Sequence, residues 1–141
     1  MKVNVLGTQY TVIFDTLAEN NRYKRCDGYC DFYVKEIHVR KHMNDDADCD
    51  EMTIPEGSMK IYEKKCLRHE LIHAFLFESG LDSNTSDIDG WARNEEMIDW
   101  MAIQMPKIMA AYNGIIKQQR LKYADADTMA LGAEPVLMSA T

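Results

Sequence analysis

The chain has 141 residues, of which 46% are hydrophobic and 28% are charged. This composition can fill a hydrophobic core, which excludes wholesale disorder, and the length leaves no room for a second core. The formal net charge of −7 argues against a general nucleic-acid-binding protein, because phosphate backbones attract basic surfaces.

Alternating apolar and polar residues predict two pairs of β-strands in the first forty positions. The alternation covers 3–14, with a polar turn at 7–9, and returns over 29–40, with a break at 33–35. A period of two is typical of strands that bury one face, and short turns join such strands into hairpins. The sequence therefore predicts a small antiparallel sheet.

A long helix is predicted after an acidic segment, 44–57, that has the composition of an exposed loop. Helical spacing begins at about Ser58, a residue type that caps helix N-termini, and ends at Ser79. Gly80 stands where a left-handed C-terminal cap is expected. The helix is apolar on more than one side, so we expect it to be buried between the sheet and other helices.

Further helices are predicted in the last third of the chain. One opens near Asn94, and Pro106 is expected to kink or end it, because proline disrupts helix hydrogen bonding. A further helical stretch is predicted over 107–123. We expect one domain over 1–123 and a flexible C-terminal tail over 124–141, where the residues carry no periodic pattern.

The predicted long helix contains the pattern HExxH. Residues four apart lie one turn apart on the same helix face, so His69 and His73 can offer imidazole nitrogens to one metal ion. Glu70 lies beside that face, where it can hold a water molecule rather than the metal. The structural alternative is a pair of core histidines, with Glu70 in a salt bridge to Arg68 or Lys65.

A third metal ligand is predicted on the helix that opens near Asn94. Glu95 and Asp99 are four apart, so one carboxylate can complete a two-histidine, one-glutamate site while the other accepts a hydrogen bond from a ligand histidine. Glu96 takes the ligand role if the helix starts one residue out of this register. The alternative is an acidic first turn that complements the helix dipole.

HExxH followed by Asn-Glu-x-x-x-Asp at 94–99 resembles the gluzincin pattern of thermolysin-like peptidases. The short sheet before the helix, and a second helix that ends near Met105-Pro106, resemble more closely the small ImmA/IrrE-type metallopeptidases of phages and mobile elements. The resemblance spans roughly 3–106. It implies an α+β, zincin-like fold, with a small antiparallel sheet packed on the HExxH helix and one or two further helices.

The resemblance also implies an activity and a set of roles. His69, His73 and Glu95 would be the ligands of a zinc ion, Zn²⁺, Glu70 the general base, and Asp99 the partner of a ligand histidine. Zinc lowers the pKa of its bound water to about 7, so Glu70 can activate that water to hydrolyse a peptide bond. The implied substrate is a cytoplasmic protein or peptide, such as a phage or mobile-element transcriptional regulator.

Two other functions use the same residues. The first is a non-catalytic, metal-stabilised interaction protein, such as an anti-repressor or phage accessory factor. The second is a zinc hydrolase that acts on esters or non-peptide amides. The sequence identifies no residue that would stabilise the transition state, and Tyr112 and Tyr123 are candidates by residue type alone.

Four cysteines raise the question of a second metal site. The spacing of Cys26 and Cys30 fits a structural zinc pair, but a strand would place them about 13 Å apart, whereas a turn at 26–28 would bring them together. Cys66 is expected to be a small buried residue rather than a ligand.

The predicted location is the cytoplasm, without contact to nucleic acid or membrane. Residues 1–7 have the pattern of a strand and lack the apolar core of a signal peptide, which favours reduced thiols. The longest apolar stretch, 71–81, is far shorter than the roughly 20 residues that span a bilayer.

Overall fold

The structure is a computed structural model that describes residues 1–42, 44, 54–85 and 90–131. Most of the predicted exposed loop at 44–57 therefore lies outside the described residues. The chain forms two compact units, Met1–Ile103 and Gln104–Thr141. The described part of the second unit, 104–131, is helical throughout.

Within the described ranges, four strands form one mixed sheet: β1 (Lys2–Val5), β2 (Thr8–Asp15), β3 (Gly28–Asp31) and β4 (Glu36–Arg40). Their order in the sheet is β1-β2-β4-β3, with β1 and β2 antiparallel and β3 and β4 antiparallel, as the two predicted hairpins require. The central strands β2 and β4 are parallel, so the sheet is mixed, and the predicted antiparallel arrangement holds within each hairpin but not between the two hairpins. Alternation specifies hairpins joined by short turns, but the pairing between hairpins depends on packing distant in sequence.

In the part of the chain that the structure describes, the sheet is followed by the α-helices α1 (Glu56–Glu78), α2 (Leu81–Asn84) and α3 (Glu95–Leu131), with a short 3₁₀ turn at Trp91–Arg93. Helix α1 begins before the predicted cap at Ser58, directly after Pro55, whose fixed φ suits the start of a helix. Gly80 has a φ of 79°, as the predicted left-handed cap requires. Within the described residues, no helix combines the length and the apolar character that crossing a membrane requires.

Helix α3 is longer than the sequence predicts. Its helical structure continues through Pro106, so of the two predicted alternatives the end of the helix at this residue is wrong. A proline removes only one helical hydrogen bond, and strong helix formers flank it. The helix also extends past Ala124, where the flexible tail was expected to begin, and alanine-rich sequence favours this continuation. The rest of the predicted tail, 132–141, lies outside the described residues.

The main hydrophobic core lies between α1 and one face of the sheet. It contains the buried side chains of Val5, Tyr10, Val12, Ile37, Val39, Cys66 and Ala74. A smaller cluster joins the C-terminal half of α1 to the 3₁₀ turn and the first turns of α3 through Leu76, Ala92 and Ile98. The described structure is therefore an α+β fold, as predicted, with the HExxH helix packed against the sheet.

Polar contacts fix the C-terminal end of α1 to the sheet. The Glu78 carboxylate accepts hydrogen bonds from the Thr8 hydroxyl at 2.8 Å, the Tyr10 hydroxyl at 2.7 Å and Lys35 Nζ at 2.5 Å. These donors, Lys35 foremost, hold the pKa of Glu78 at about 2, below its ordinary value. The last turn of α1 is thus attached to both hairpins.

Candidate metal centre

The two histidines of the HExxH pattern face the same space beside α1. His69 and His73 are one turn apart, and their Nε2 atoms lie 3.0 Å from each other. Both side chains are largely buried, with exposed fractions of 15% and 17%. Burial lowers the pKa of His73, which favours the neutral imidazole, the form that binds metals.

Glu95 brings a carboxylate from α3 to these nitrogens. Its Oε2 lies 3.0 Å from His69 Nε2, and its Oε1 lies 3.4 Å from His73 Nε2. The three residues each offer a ligand atom within 4.8 Å of the others, so the group can hold a metal ion. Among the described residues it is the one such group formed by histidine, cysteine, aspartate and glutamate side chains.

The distances between these donor atoms fit one small cation. Ligands that bind an ion tetrahedrally at 2.0–2.1 Å are separated from each other by about 3.3 Å. The two histidine nitrogens lie 3.0 Å apart, and each has a different oxygen of the Glu95 carboxylate at a similar distance, 3.0 Å for His69 and 3.4 Å for His73. Two imidazole nitrogens and a carboxylate oxygen also form a donor set that divalent transition metals accept.

Asp99 orients His69 from behind. The Nδ1 atom of His69 lies 2.8 Å from Asp99 Oδ1, and Lys65 Nζ lies 2.5 Å from the same oxygen. Burial alone would raise the pKa of Asp99, but the hydrogen bonds from Lys65 and His69 lower it overall. An ionised Asp99 can only accept a hydrogen bond, so His69 carries its proton on Nδ1 and presents the Nε2 lone pair to the metal position.

Glu70 lies in the wall of the same space. Its side chain is buried, at 6% exposure, and burial, followed by the charge of Glu95, raises its pKa to about 8. The Lys65 charge opposes this shift. The carboxyl group is therefore next to the ligand histidines, in a position to exchange a proton, and is not part of the ligand group.

The start of α3 determines which glutamate faces the histidines. Asn94 precedes the helix, and its Oδ1 accepts a hydrogen bond from the Met97 backbone N–H at 2.8 Å. This is an N-cap interaction, which sets the first helical residue. The resulting register directs Glu95 and Asp99 towards α1, whereas Glu96 is not a member of the metal-binding group.

A cavity of about 730 Å³ surrounds the site. Its wall contains Cys26, Asp27, Gly28, Tyr29, Cys30, Phe32, Tyr62, Lys65, Cys66, His69, Glu70, His73, Asp82, Arg93, Glu95 and Asp99. Arg93 forms an ion pair with Asp82 at 3.2 Å, which links the 3₁₀ turn to α2 at the rim. Acidic residues outnumber Lys65 and Arg93 in this wall, so the cavity has a negative character.

Three of the cysteines, Cys26, Cys30 and Cys66, form part of the cavity wall. Cys26 and Cys30 do not belong to any metal-binding group of three in the described part of the chain. Cys66 is buried in the main core, as predicted. Burial raises the pKa of Cys30 and of Cys66 to about 12, so both thiols are protonated and behave as small neutral groups.

Three contributors to the site were not predicted from the sequence. Tyr62 and Lys65 precede His69 on the same side of α1, and helical periodicity could have indicated them. Gly28 allows β3 to approach the helix, because a Cβ at this position would lie 2.7 Å from Cys66 Sγ and 3.0 Å from Glu70 Cγ. No local pattern identifies this glycine.

The two tyrosines suggested by residue type both belong to the second unit. Tyr112 lies in the second unit and is exposed, and the side chain of Tyr123 is outside the described part of the structure.

Comparisons with family models, with curated proteins and with solved structures find no match for the chain. The functional interpretation therefore depends on the residues and their geometry.

Proposed function

We propose that the protein is a zinc-dependent metallopeptidase. The observation that carries this proposal is the convergence of His69, His73 and Glu95 on one position, with Glu70 buried beside it. Two imidazoles and one carboxylate are the ligand set of catalytic zinc sites, which keep a fourth position open. Glu95 is 70% exposed, so this group is open to solvent on one side.

Zinc would be held by His69, His73 and Glu95, and Asp99 would keep His69 in its binding tautomer. When bound, the ion would act as a Lewis acid and lower the pKa of a coordinated water. Glu70 supplies the proton transfer in this proposal. The charge of the bound ion would lower the pKa of Glu70 from its metal-free value, so that its carboxylate would accept a proton from the attacking water and return it to the leaving amine.

The sheet supports a peptide as the substrate. Strand β3 is the last in the sheet order, and in the described residues it pairs only with β4. Its residues Gly28, Tyr29 and Cys30 line the cavity that contains the metal-binding group. An extended peptide can add to such an edge through main-chain hydrogen bonds, which would place a peptide bond beside the metal position.

The zincin-like fold and the ImmA/IrrE-type resemblance belong to the same proposal. They are supported by the order of the elements, a small sheet followed by the HExxH helix and then by a helix that carries Glu95 and Asp99. On this basis we infer a cytoplasmic protein substrate, with a phage or mobile-element regulator as the candidate class.

Replacement of Glu70 by glutamine tests the proposal. Glu70→Gln should still bind one zinc ion and should lose cleavage by about 10²- to 10⁴-fold, because the amide cannot accept the proton. The measurement is mass spectrometry of a peptide library incubated with the zinc-loaded protein. Glu63→Gln is the matched control, since Glu63 lies on the same helix and is similarly buried but does not line the cavity.

The outcomes separate the alternatives. Glu63→Gln should cleave like the wild type. Equal cleavage by Glu70→Gln and wild type would refute the assigned role. A wild type that binds zinc, folds and cleaves no peptide would contradict the peptidase and favour the non-catalytic interaction protein. Hydrolysis of esters alone would favour the other zinc hydrolase.

A further inference from the structure

Arg68 makes a contact between α1 and α3 that involves none of the metal-binding residues. It directly precedes His69 on α1, and its Nε donates a hydrogen bond to the backbone carbonyl of Ala102 on α3. Ala102 is fully buried. In the described part of the chain, no carboxylate lies within ion-pair distance of the Arg68 guanidinium, so the charged side chain is directed to a neutral main-chain acceptor.

The chemistry of α3 explains why this carbonyl is available. In an uninterrupted helix, the carbonyl of residue 102 accepts the N–H of residue 106. Residue 106 is proline, which has no N–H to donate. A buried carbonyl without a donor costs free energy, and the Arg68 Nε supplies the missing donor.

The hydrogen bond between Arg68 and Ala102 lies on the same side of α3 as the contacts of the metal site. Glu95, Asp99 and Ala102 follow each other at helical spacing on one side of α3. Glu95 faces the two histidines, Asp99 contacts His69 and Lys65, and Ala102 contacts Arg68. The contacts of Glu95 and Asp99 involve partly exposed carboxylates. The contact of Ala102 instead involves a neutral, buried backbone carbonyl.

We propose that Arg68 is a positioning residue that holds α3 in the register required for metal binding. Its hydrogen bond to Ala102, available because residue 106 is proline, fixes Glu95 and Asp99 opposite His69 before any metal is present. Pro106 therefore does not end α3. It leaves the Ala102 carbonyl free to accept the hydrogen bond from Arg68. This inference rests on the metal-binding group of the proposed function but not on the peptidase activity.

The variants Arg68→Met, Arg68→Lys and Pro106→Ala test the inference in the full chain. Co²⁺ binding, followed by visible absorption, measures the assembly of the metal site. Arg68→Met should lower Co²⁺ affinity by about 10- to 100-fold, the range found when groups that orient metal ligands are removed. Arg68→Lys should recover part of the loss, because its ammonium can donate to the same carbonyl. Lys64→Met, at an exposed position of α1, controls for the lost charge and should bind like the wild type.

Pro106→Ala separates positioning from general stability. Alanine favours the helix, so resistance to urea should not decrease, yet its N–H competes for the Ala102 carbonyl and should lower Co²⁺ affinity. The two changes act through one hydrogen bond, so the Arg68→Met, Pro106→Ala double variant should lose no more affinity than Arg68→Met alone. Additive losses, or wild-type affinity in Arg68→Met, would overturn the inference.

Amide hydrogen exchange of residues 95–102 in the metal-free protein gives an independent measurement. Arg68→Met should accelerate this exchange relative to Lys64→Met, because α3 loses an attachment that exists without metal. A wild type that binds no Co²⁺ would refute the proposed metal site, while faster exchange in Arg68→Met would still support the positioning contact. Unchanged exchange would refute the positioning contact whether or not metal binds.

Discussion

The substitution Gly28→Ala tests how closely β3 approaches the active helix. An added Cβ would lie 2.7 Å from Cys66 Sγ, 2.9 Å from the His38 carbonyl oxygen and 3.0 Å from Glu70 Cγ. The first two atoms belong to a buried helix side chain and to the backbone of β4, so neither can move easily. Overpacking of this kind costs about 1–3 kcal/mol.

The expected net effect is smaller than the contact cost. Alanine reduces the freedom of the unfolded chain and so returns about 0.4–1 kcal/mol. We therefore expect Gly28→Ala to lower the free energy of unfolding by about 1–2 kcal/mol, measured by urea denaturation with circular dichroism. The same substitution should reduce the proposed zinc-dependent cleavage, since the added methyl group would displace Glu70.

Two further variants make the test specific. Gly57→Ala is the control, because Gly57 lies in the first turn of α1 with no atom within 4 Å of an added Cβ, and alanine there should stabilise the protein by up to about 1 kcal/mol. Gly28→Ala combined with Cys66→Ala removes the shortest contact and should recover part of the loss. If Gly28→Ala matches or exceeds the wild-type stability, the close packing of β3 on α1 is incorrect.

Three other predictions concern the metal site and the core. Asp99→Asn should lower metal affinity by about 10- to 100-fold in a Co²⁺ titration, whereas Glu96→Gln should not, and equal affinities would show that Asp99 does not orient His69. Glu78→Gln should destabilise the protein near neutral pH, because the pKa of Glu78 is held at about 2 in the folded state. This stabilisation is present above the unfolded pKa near 4.5 and is lost as the pH falls towards 2, so urea denaturation of wild type and variant should converge there, and a constant difference would contradict the contact. Basic peptides should bind the metal-free protein more tightly than acidic peptides of the same length, since the cavity wall is negative without a bound cation, and tighter binding of acidic peptides would refute this charge argument.

The strands and the long helix could be predicted because their signals are local. Alternation over 3–14 and 29–40 marks both hairpins, and Gly80 marks the end of α1. The parallel pairing of β2 with β4 could not be predicted in this way, because it depends on how two hairpins pack against α1. The continuation of α3 through Pro106 could not be predicted either. The Ala102 carbonyl, which loses its helical donor, accepts a hydrogen bond from Arg68, a residue distant in sequence.

The site shows the same division between local and distant information. The HExxH spacing predicts that His69 and His73 face one position, because the helix has a fixed period. The choice between Glu95 and Glu96 is a rotation of about 100° around α3, and it depends on where the Asn94 cap starts the helix. Gly28 has a role only through atoms of α1 and β4, so its importance cannot be read from neighbouring residues.

The metal-binding group joins two parts of the first unit that are held by different hydrophobic clusters. His69 and His73 belong to α1, which the main core attaches to the sheet without any residue of α3. Glu95 and Asp99 belong to the first turns of α3, which the smaller cluster and the polar contacts attach to α1 within the described part of the chain. A bound cation would therefore stabilise chiefly the contact between α1 and α3, because the sheet and α1 already share their own core. The same reasoning explains why a buried contact such as that of Arg68 matters: it keeps the exposed carboxylates near the histidines when no cation connects them.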